Sequence, residues 1–436
     1  MPPKNSSSPD PIEQAFKLGE HWVPGIWRYM LPAALTDITM PQERRATCLD
    51  CPRAKFEGWR PDYRCCTYHP RVPNFLLGLA LSDAKSEPIV KRLIKDGFLL
   101  PEGMVSSPNQ WAHYLSDTAE NRFGRSLKVL CPFLEQKSGM CNLYAFRNSV
   151  CSTFFCLHDN GDKGERFWSS LQTVAQQVEM ALGQWALQQL GFDVKAYMKR
   201  LDSLAKKVER ASDPETGAWT PAALKVIWGK FYGRELELLR GCADLVRKHR
   251  DELWQISNTI DIQEPIKFDR AAVKVVPRKY RSEIDAEYFE TGDTSPPRDI
   301  WRGFKTLAKN LWALPTGSLV FSPRARILPN PQDDDQGKAF SNCTHMVEFR
   351  SRRDAKEFEW REYIPTDKAM GLLWFSRKRK ISDELIERLS GMIKQDAKQF
   401  ISEWTGKKVL VSGSLSAATL KSVKNEIKKR VKKNDD

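Results

Sequence analysis

Long apolar runs are missing from this chain. No window of about 18 apolar residues occurs, so no membrane-spanning helix is expected. The signature loops of several enzyme classes are missing as well. There is no G-x-x-x-x-G-K-[S/T], no H-E-x-x-H, no G-x-S-x-G and no G-x-G-x-x-G. Histidine is scarce, with 6 in 436 residues, and these are scattered, so no nucleophilic triad is legible. Carboxylates are plentiful, but sequence spacing pairs none of them into an acid–base couple. The first residues, Met1 to Pro11, are polar and rich in Ser and Pro. They lack the apolar centre of a signal peptide, so a cytoplasmic, reducing compartment is the expectation.

What is present describes a folded globular chain. Apolar residues make up 41%, charged residues 28%, and Trp is abundant at 14, which excludes a disordered composition. The formal charge of +14 is dispersed. Residues 1–160 carry 19 Lys/Arg against 16 Asp/Glu, and residues 401–436 carry 9 against 4. Only the C-terminal tail is locally basic. That is the pattern of a solvated helix face, or else of a contact with nucleic acid.

The punctuation of the chain predicts an α+β protein in several parts. Residues 1–10 read as a flexible leader. Residues 11–160 are broken by Pro, Gly and Cys, with one clear helix from Ser86 to Gly97, where Ser86 is placed to cap and Pro88 suits the first turn. Residues 161–255 are helical. Phe167, Trp168, Leu171, Val174, Val178, Leu182, Trp185 and Ala186 recur at three- and four-residue steps, which predicts one long helix ending near Gly191. A second helix is expected over 193–209, and a third from Thr220-Pro221 to about Trp254. Residues 256–315 are a mixed linker with a loop at 291–297. Residues 316–436 are expected to hold strands at 319–321, 325–328, 346–349 and 358–360. A loop over 330–339, a turn at 351–356, helices at 366–376 and 382–404, and a basic terminal helix at 415–432 complete that part. The basic run Arg377–Lys380 offers a second contact for phosphates.

The cysteines are concentrated. Eight of the 10 lie between Cys48 and Cys156, and Cys242 and Cys343 stand apart. The order is Cys48-x-x-Cys51, Cys65-Cys66, Cys131, Cys141, Cys151 and Cys156. In a reducing compartment, crowded thiols mark a metal site more often than disulfides. A CxxC pair lets two thiolates reach one ion from a tight turn. Structural zinc supplies roughly 10–16 kcal/mol in small peptides, similar to the about 5–15 kcal/mol that holds a typical domain. Metal, rather than apolar burial, is therefore expected to decide whether residues 45–160 fold. Eight thiols exceed the needs of one tetrahedral ion or one 4Fe-4S cluster, so two zinc sites or one iron-sulfur cluster with spare thiols both satisfy the count. His69, His113 and His158 lie in the same region as possible substitute ligands, although a core or surface role suits each of them better.

Residues 46–160 resemble the YkgJ-type cysteine-cluster family. The likeness is carried by CxxC, the Cys65-Cys66 pair, Cys-Pro-Phe-Leu (131–134), Gly-Met-Cys-Asn-Leu-Tyr (139–144), and Arg147 followed by Cys-Ser-Thr-Phe-Phe-Cys (151–156). The chain departs from the family pattern in the longer gap between Cys51 and Cys65 and in the absence of Arg-Pro before the later cysteines. The resemblance implies a bound iron-sulfur cluster or zinc. A more distant similarity to the cysteine cluster of flagellin lysine methylases implies S-adenosylmethionine-dependent modification of a protein substrate. Against that, the chain has no CxxxCxxC of the radical type, and its one strand-to-helix glycine turn, at 408–414, is a weak ligand signal. A zinc-stabilised module that binds nucleic acid or protein is the further alternative.

Overall fold

The computed structural model describes residues 10–18, 21–32, 35, 62–63, 65–119, 126–158, 161–279, 303, 306–307, 310, 319–322, 324–331, 339, 342–343, 345–350, 358–364 and 394–412. Several expectations lie outside these residues: Cys48, Cys51, the leader 1–9, the loop 291–297, most of the loop 330–339, the turn 351–356, the helix 366–376, Arg377–Lys380, the first half of the helix 382–404, and the terminal helix 415–432. Helices and strands are both present, as an α+β chain requires.

The N-terminal part opens with an antiparallel hairpin, β1 (Phe16–Leu18) and β2 (His21–Val23), paired Phe16 to Val23. Three short strands follow: β3 (Val72–Pro73), β4 (Leu99–Leu100) and β5 (Gly103–Met104). They make an antiparallel sheet with β5 in the middle. Between them run α1 (Asn74–Ala80) and α2 (Glu87–Lys95), and α3 (Pro108–Ala119) comes after.

All seven residues of α1 are buried. This is a consequence of sequence: Phe75, Leu76, Leu77 and Leu79 leave no polar face, so the helix is stable only inside a core. Its polar residue, Asn74, is satisfied there. Its amide donates to the Pro101 and Gly183 carbonyls at 3.0 and 3.1 Å, and its oxygen accepts from Phe75 N–H at 2.7 Å. Gly78 is required by close approach, since a Cβ there would stand 2.0 Å from the Leu239 carbonyl oxygen.

In α2, Ile89, Val90, Leu93 and Ile94 pack on the core, but Ser86 does not cap. Its backbone is already helical, and its hydroxyl donates to the Asn142 carbonyl at 2.5 Å.

Beyond the cysteine segment, α4 (Ser149–Thr153) leads to α5 (Gly161–Gln189), the long helix expected from periodicity. Asp193 caps α6 (Val194–Leu204) by accepting from Ala196 N–H at 2.8 Å, and Thr220 caps α7 (Pro221–Trp228) through Ala223 N–H. The single helix expected from 220 to 254 is three: α7, α8 (Glu235–Lys248) and α9 (Leu253–Ser257). Gly229 and Gly233 interrupt the first two, with φ of 56° and 83°. These are left-handed values that end a helix.

A further helix, α10 (Ile266–Ala272), packs beside α6. One apolar core runs through all of this, from Ile12 through α1, α5 and α8 to Leu307. It crosses the division at residue 160 drawn from composition. The expectation that metal alone decides the folding of 45–160 is therefore corrected for residues 72–104, which are held by apolar burial.

In the C-terminal part, β9 (Ala325–Pro329), β10 (His345–Phe349) and β11 (Trp360–Ile364) form an antiparallel sheet with β10 central. The strand β8 (Leu319–Phe321) pairs with β12 (Leu410–Ser412), which follows α11 (Lys394–Gly406). The strand expected at 358–360 begins at Trp360 instead. Four consecutive residues of β10 are buried rather than alternate ones, so both of its faces are covered. Buried Glu348 is held by Arg350 and Arg361 at 3.2 and 2.9 Å. No helix among the described residues is long and apolar enough to cross a membrane.

Candidate metal centre

Three segments of chain carry the thiols. The Cys65–Cys66 segment lies against Cys131, whose N–H donates to the Cys66 carbonyl at 2.7 Å. Pro132 follows, and its fixed φ suits the second position of a turn. The turn closes with Leu134 N–H on the Cys131 carbonyl at 3.1 Å. A tight hairpin comes next, β6 (Leu134–Glu135) with β7 (Met140–Cys141), which sets Cys141 across from Leu134. The helix α4 carries Cys151. Its cap is Asn148, whose side-chain oxygen accepts from Cys151 N–H at 3.0 Å and whose amide donates to the Arg71 carbonyl at 2.9 Å.

The Cys131 thiol is within electrostatic reach of Cys141 and Cys151, and Cys151 is within reach of Cys141 and Cys65. Burial, and then the neighbouring sulfurs, push Cys131 far above the ordinary thiol range. The N–H groups of Phe133 and Leu134, directed at its sulfur, oppose the shift. Burial and Cys141 push Cys151 up to about 12, opposed by Arg147. Cys131 and Cys151 are protonated at neutral pH, first because burial penalises the thiolate and then because neighbouring sulfurs would repel it. A thiophilic cation, if bound, would supply the missing positive charge and displace the protons. Soft donors and amide N–H groups aimed at one sulfur fit such an ion.

Among the described residues, however, no three of His, Cys, Asp and Glu stand close enough to enclose a metal ion. Cys65, Cys131, Cys141 and Cys151 thus form an open array. Cys66 and Cys156 are half-buried in the same segments. Cys242 is buried in α8, where burial raises its pKa, and Cys343 is buried in the C-terminal part.

The chain matches no family model, no curated protein and no solved structure.

The histidines do not join the array as ligands. His69 bonds the Leu130 carbonyl through Nε2 at 2.9 Å and Gln110 through Nδ1, so both ring nitrogens are occupied. Burial holds it at about 4, below its ordinary value. Its contribution to stability is therefore present above about pH 6.5 and is lost as pH falls through 4. His113 contacts the Pro214 carbonyl at 2.8 Å, and His158 packs on Phe155.

A second polar feature lies behind α4 and escaped sequence reasoning. Arg71, Glu102, Glu179 and Gln184 line a cavity of ≈ 20 Å³. Glu102 pairs with Arg71 at 3.2 Å and accepts from Gln184 and from the Tyr197 hydroxyl at 3.2 and 3.3 Å. Glu179 accepts from the Ser149 hydroxyl at 2.8 Å, while its other oxygen is buried with no partner. Burial pushes Glu179 up to about 8, and Asp269, also buried and partly offset by Arg71, to about 7. A signal existed: Glu179 falls four residues from Ala175 and three from Leu182, on the apolar face of α5, where a carboxylate is out of place.

Proposed function

We propose that this chain is a metal-cluster protein in which cysteine thiolates hold zinc or an iron-sulfur cluster, with Cys65, Cys131, Cys141 and Cys151 as the leading ligands among the described residues. The observation that carries the reading is that half-buried thiols from three separate segments lie within electrostatic reach of one another, one of them already supplied with backbone N–H donors. Cys48 and Cys51 belong to the same proposal on their CxxC spacing, and Cys66 and Cys156 on their place in the segments. Burial makes ionised sulfur costly without a cation, and sulfur donors select zinc or iron over hard ions. The resemblance to the YkgJ-type family agrees with this chemistry.

Anaerobic purification followed by elemental analysis and a visible spectrum tests it. A brown protein absorbing near 400 nm carries iron-sulfur, and a colourless protein with stoichiometric zinc carries a clamp. Protein that folds fully with neither contradicts the reading.

A further inference from the structure

The cavity behind α4 is short of one positive charge. Its lining holds two carboxylates, Glu102 and Glu179, and one guanidinium, Arg71. Arg71 is paired with Glu102 at 3.2 Å. Glu102 also collects hydrogen bonds from Gln184 and from the Tyr197 hydroxyl. Glu179 is served far less well. It is 2% exposed, one oxygen accepts from the Ser149 hydroxyl, and the other is buried with no hydrogen bond. An ionised carboxylate in that state is costly, and a cation bonded to it offsets the cost.

The size and walls of the cavity select the cation. A volume of ≈ 20 Å³ admits one group about as large as a water molecule. Pro73 and Met180 make part of the wall apolar. Gln184 gives its amide N–H groups to Glu102 and to the Gln263 carbonyl, so they are spent. A ligand of Glu179 therefore brings its own donors. Among the described residues, no three of His, Cys, Asp and Glu stand close enough to enclose a metal ion. An alkylammonium needs no such cage, because its three N–H donors make directed bonds to separate acceptors. The Arg71 side chain, 38% exposed, marks the side on which the cavity meets solvent.

We infer that this cavity is a binding site for the head group of a primary ammonium ion, held by the unpartnered oxygen of Glu179 with Pro73 and Met180 against its carbon. The inference stands independently of the metal reading.

Full-length protein is unfolded by heat above pH 8, where Glu179 ionises. The added salt is methylammonium, tetramethylammonium or sodium chloride at equal ionic strength. Methylammonium is expected to raise the midpoint saturably, by a few degrees, as a ligand of the folded state alone does. Tetramethylammonium has no N–H and exceeds the cavity, so it is expected to act like sodium. Glu179→Gln keeps the side-chain shape without the charge, and its midpoint is expected to ignore methylammonium. n-Butylammonium separates two sources of the head group. A rise matching that of methylammonium places it on a longer chain that leaves beside Arg71; a rise with methylammonium alone makes it a free small amine.

Equal rises with methylammonium and tetramethylammonium would overturn the site. So would a methylammonium rise that survives in Glu179→Gln. No rise in wild type would overturn it too, and would leave water as the occupant.

Discussion

The apolar body and the cysteine segment are built on opposite terms. In the body, α1, α5 and α8 press together so closely that Gly78 has no room for a methyl group, and Phe75, Leu77 and Trp168 are almost wholly removed from water. In the segment 126–158, the strands are two residues long, α4 has five residues, and Leu127, Met140 and Phe154 are exposed. Burial of about 25 cal/mol per Å² can hold the first region by itself. The second is anchored in that core by the buried side chains of Phe133, Leu143 and Phe146 and holds the rest of its shape through turns, caps and bonds borrowed from neighbours, such as Ser86 to the Asn142 carbonyl and Ser149 to Glu179. A region built that way gains most from a bound ion.

The comparison breaks first in the body. Phe75→Ala removes a ring that is wholly buried and is expected to cost about 3–5 kcal/mol. Chemical denaturation should show this loss equally in metal-loaded and chelator-treated protein. A loss that disappears once metal is removed would mean that the body is not independent of the site.

The next effect concerns the boundary between the regions. Glu179 binds its proton more tightly folded than unfolded, because burial raises it from 4.5 to about 8. Its contribution to stability is complete below about pH 4.5 and is lost as pH rises through 8. Glu179→Gln cannot titrate. The variant should match wild type near pH 4.5 and exceed it at pH 8, by an amount on the order of a few kcal/mol. Stability measured across that window checks the sign, and parallel curves would refute it.

The smallest effect sharpens the comparison. Asn148→Ala deletes the cap of α4 and the bond to the Arg71 carbonyl, and is expected to cost roughly 1–2 kcal/mol. The cost should stay local. Amide exchange in residues 149–153 is expected to accelerate while exchange in α1 and α8 holds. Acceleration throughout would merge the two regions into one cooperative unit.

Much of the body was legible in the sequence. The apolar stripe of α5, the Thr220-Pro221 start of α7 and the strands at 319–321 and 346–349 follow from periodicity and capping alone. The breaks at Gly229 and Gly233 were not, because the apolar repeat continues across them and only the backbone angles reveal the interruption. The sharing of one core across residue 160 was hidden for a different reason. Cysteine and proline punctuate 45–160, whereas the short, wholly buried helix α1 is what joins that part to α5 and α8. At the candidate site, the cysteine order named the segments that carry the thiols, and the electrostatic reach among Cys65, Cys131, Cys141 and Cys151 came only with the fold. That order gave no sign of His69's two partners or of the unpartnered oxygen of Glu179, both of which depend on residues distant in sequence.

The central claim is that the thiols of the cysteine segment, and not the isolated ones, hold an inorganic ion. Metal content per chain, measured side by side in anaerobically purified Cys131→Ser/Cys151→Ser and Cys242→Ser/Cys343→Ser variants, tests this most directly. The account predicts that the first variant loses its metal while the second keeps the wild-type ratio; equal metal in both, or none in wild type, would contradict it.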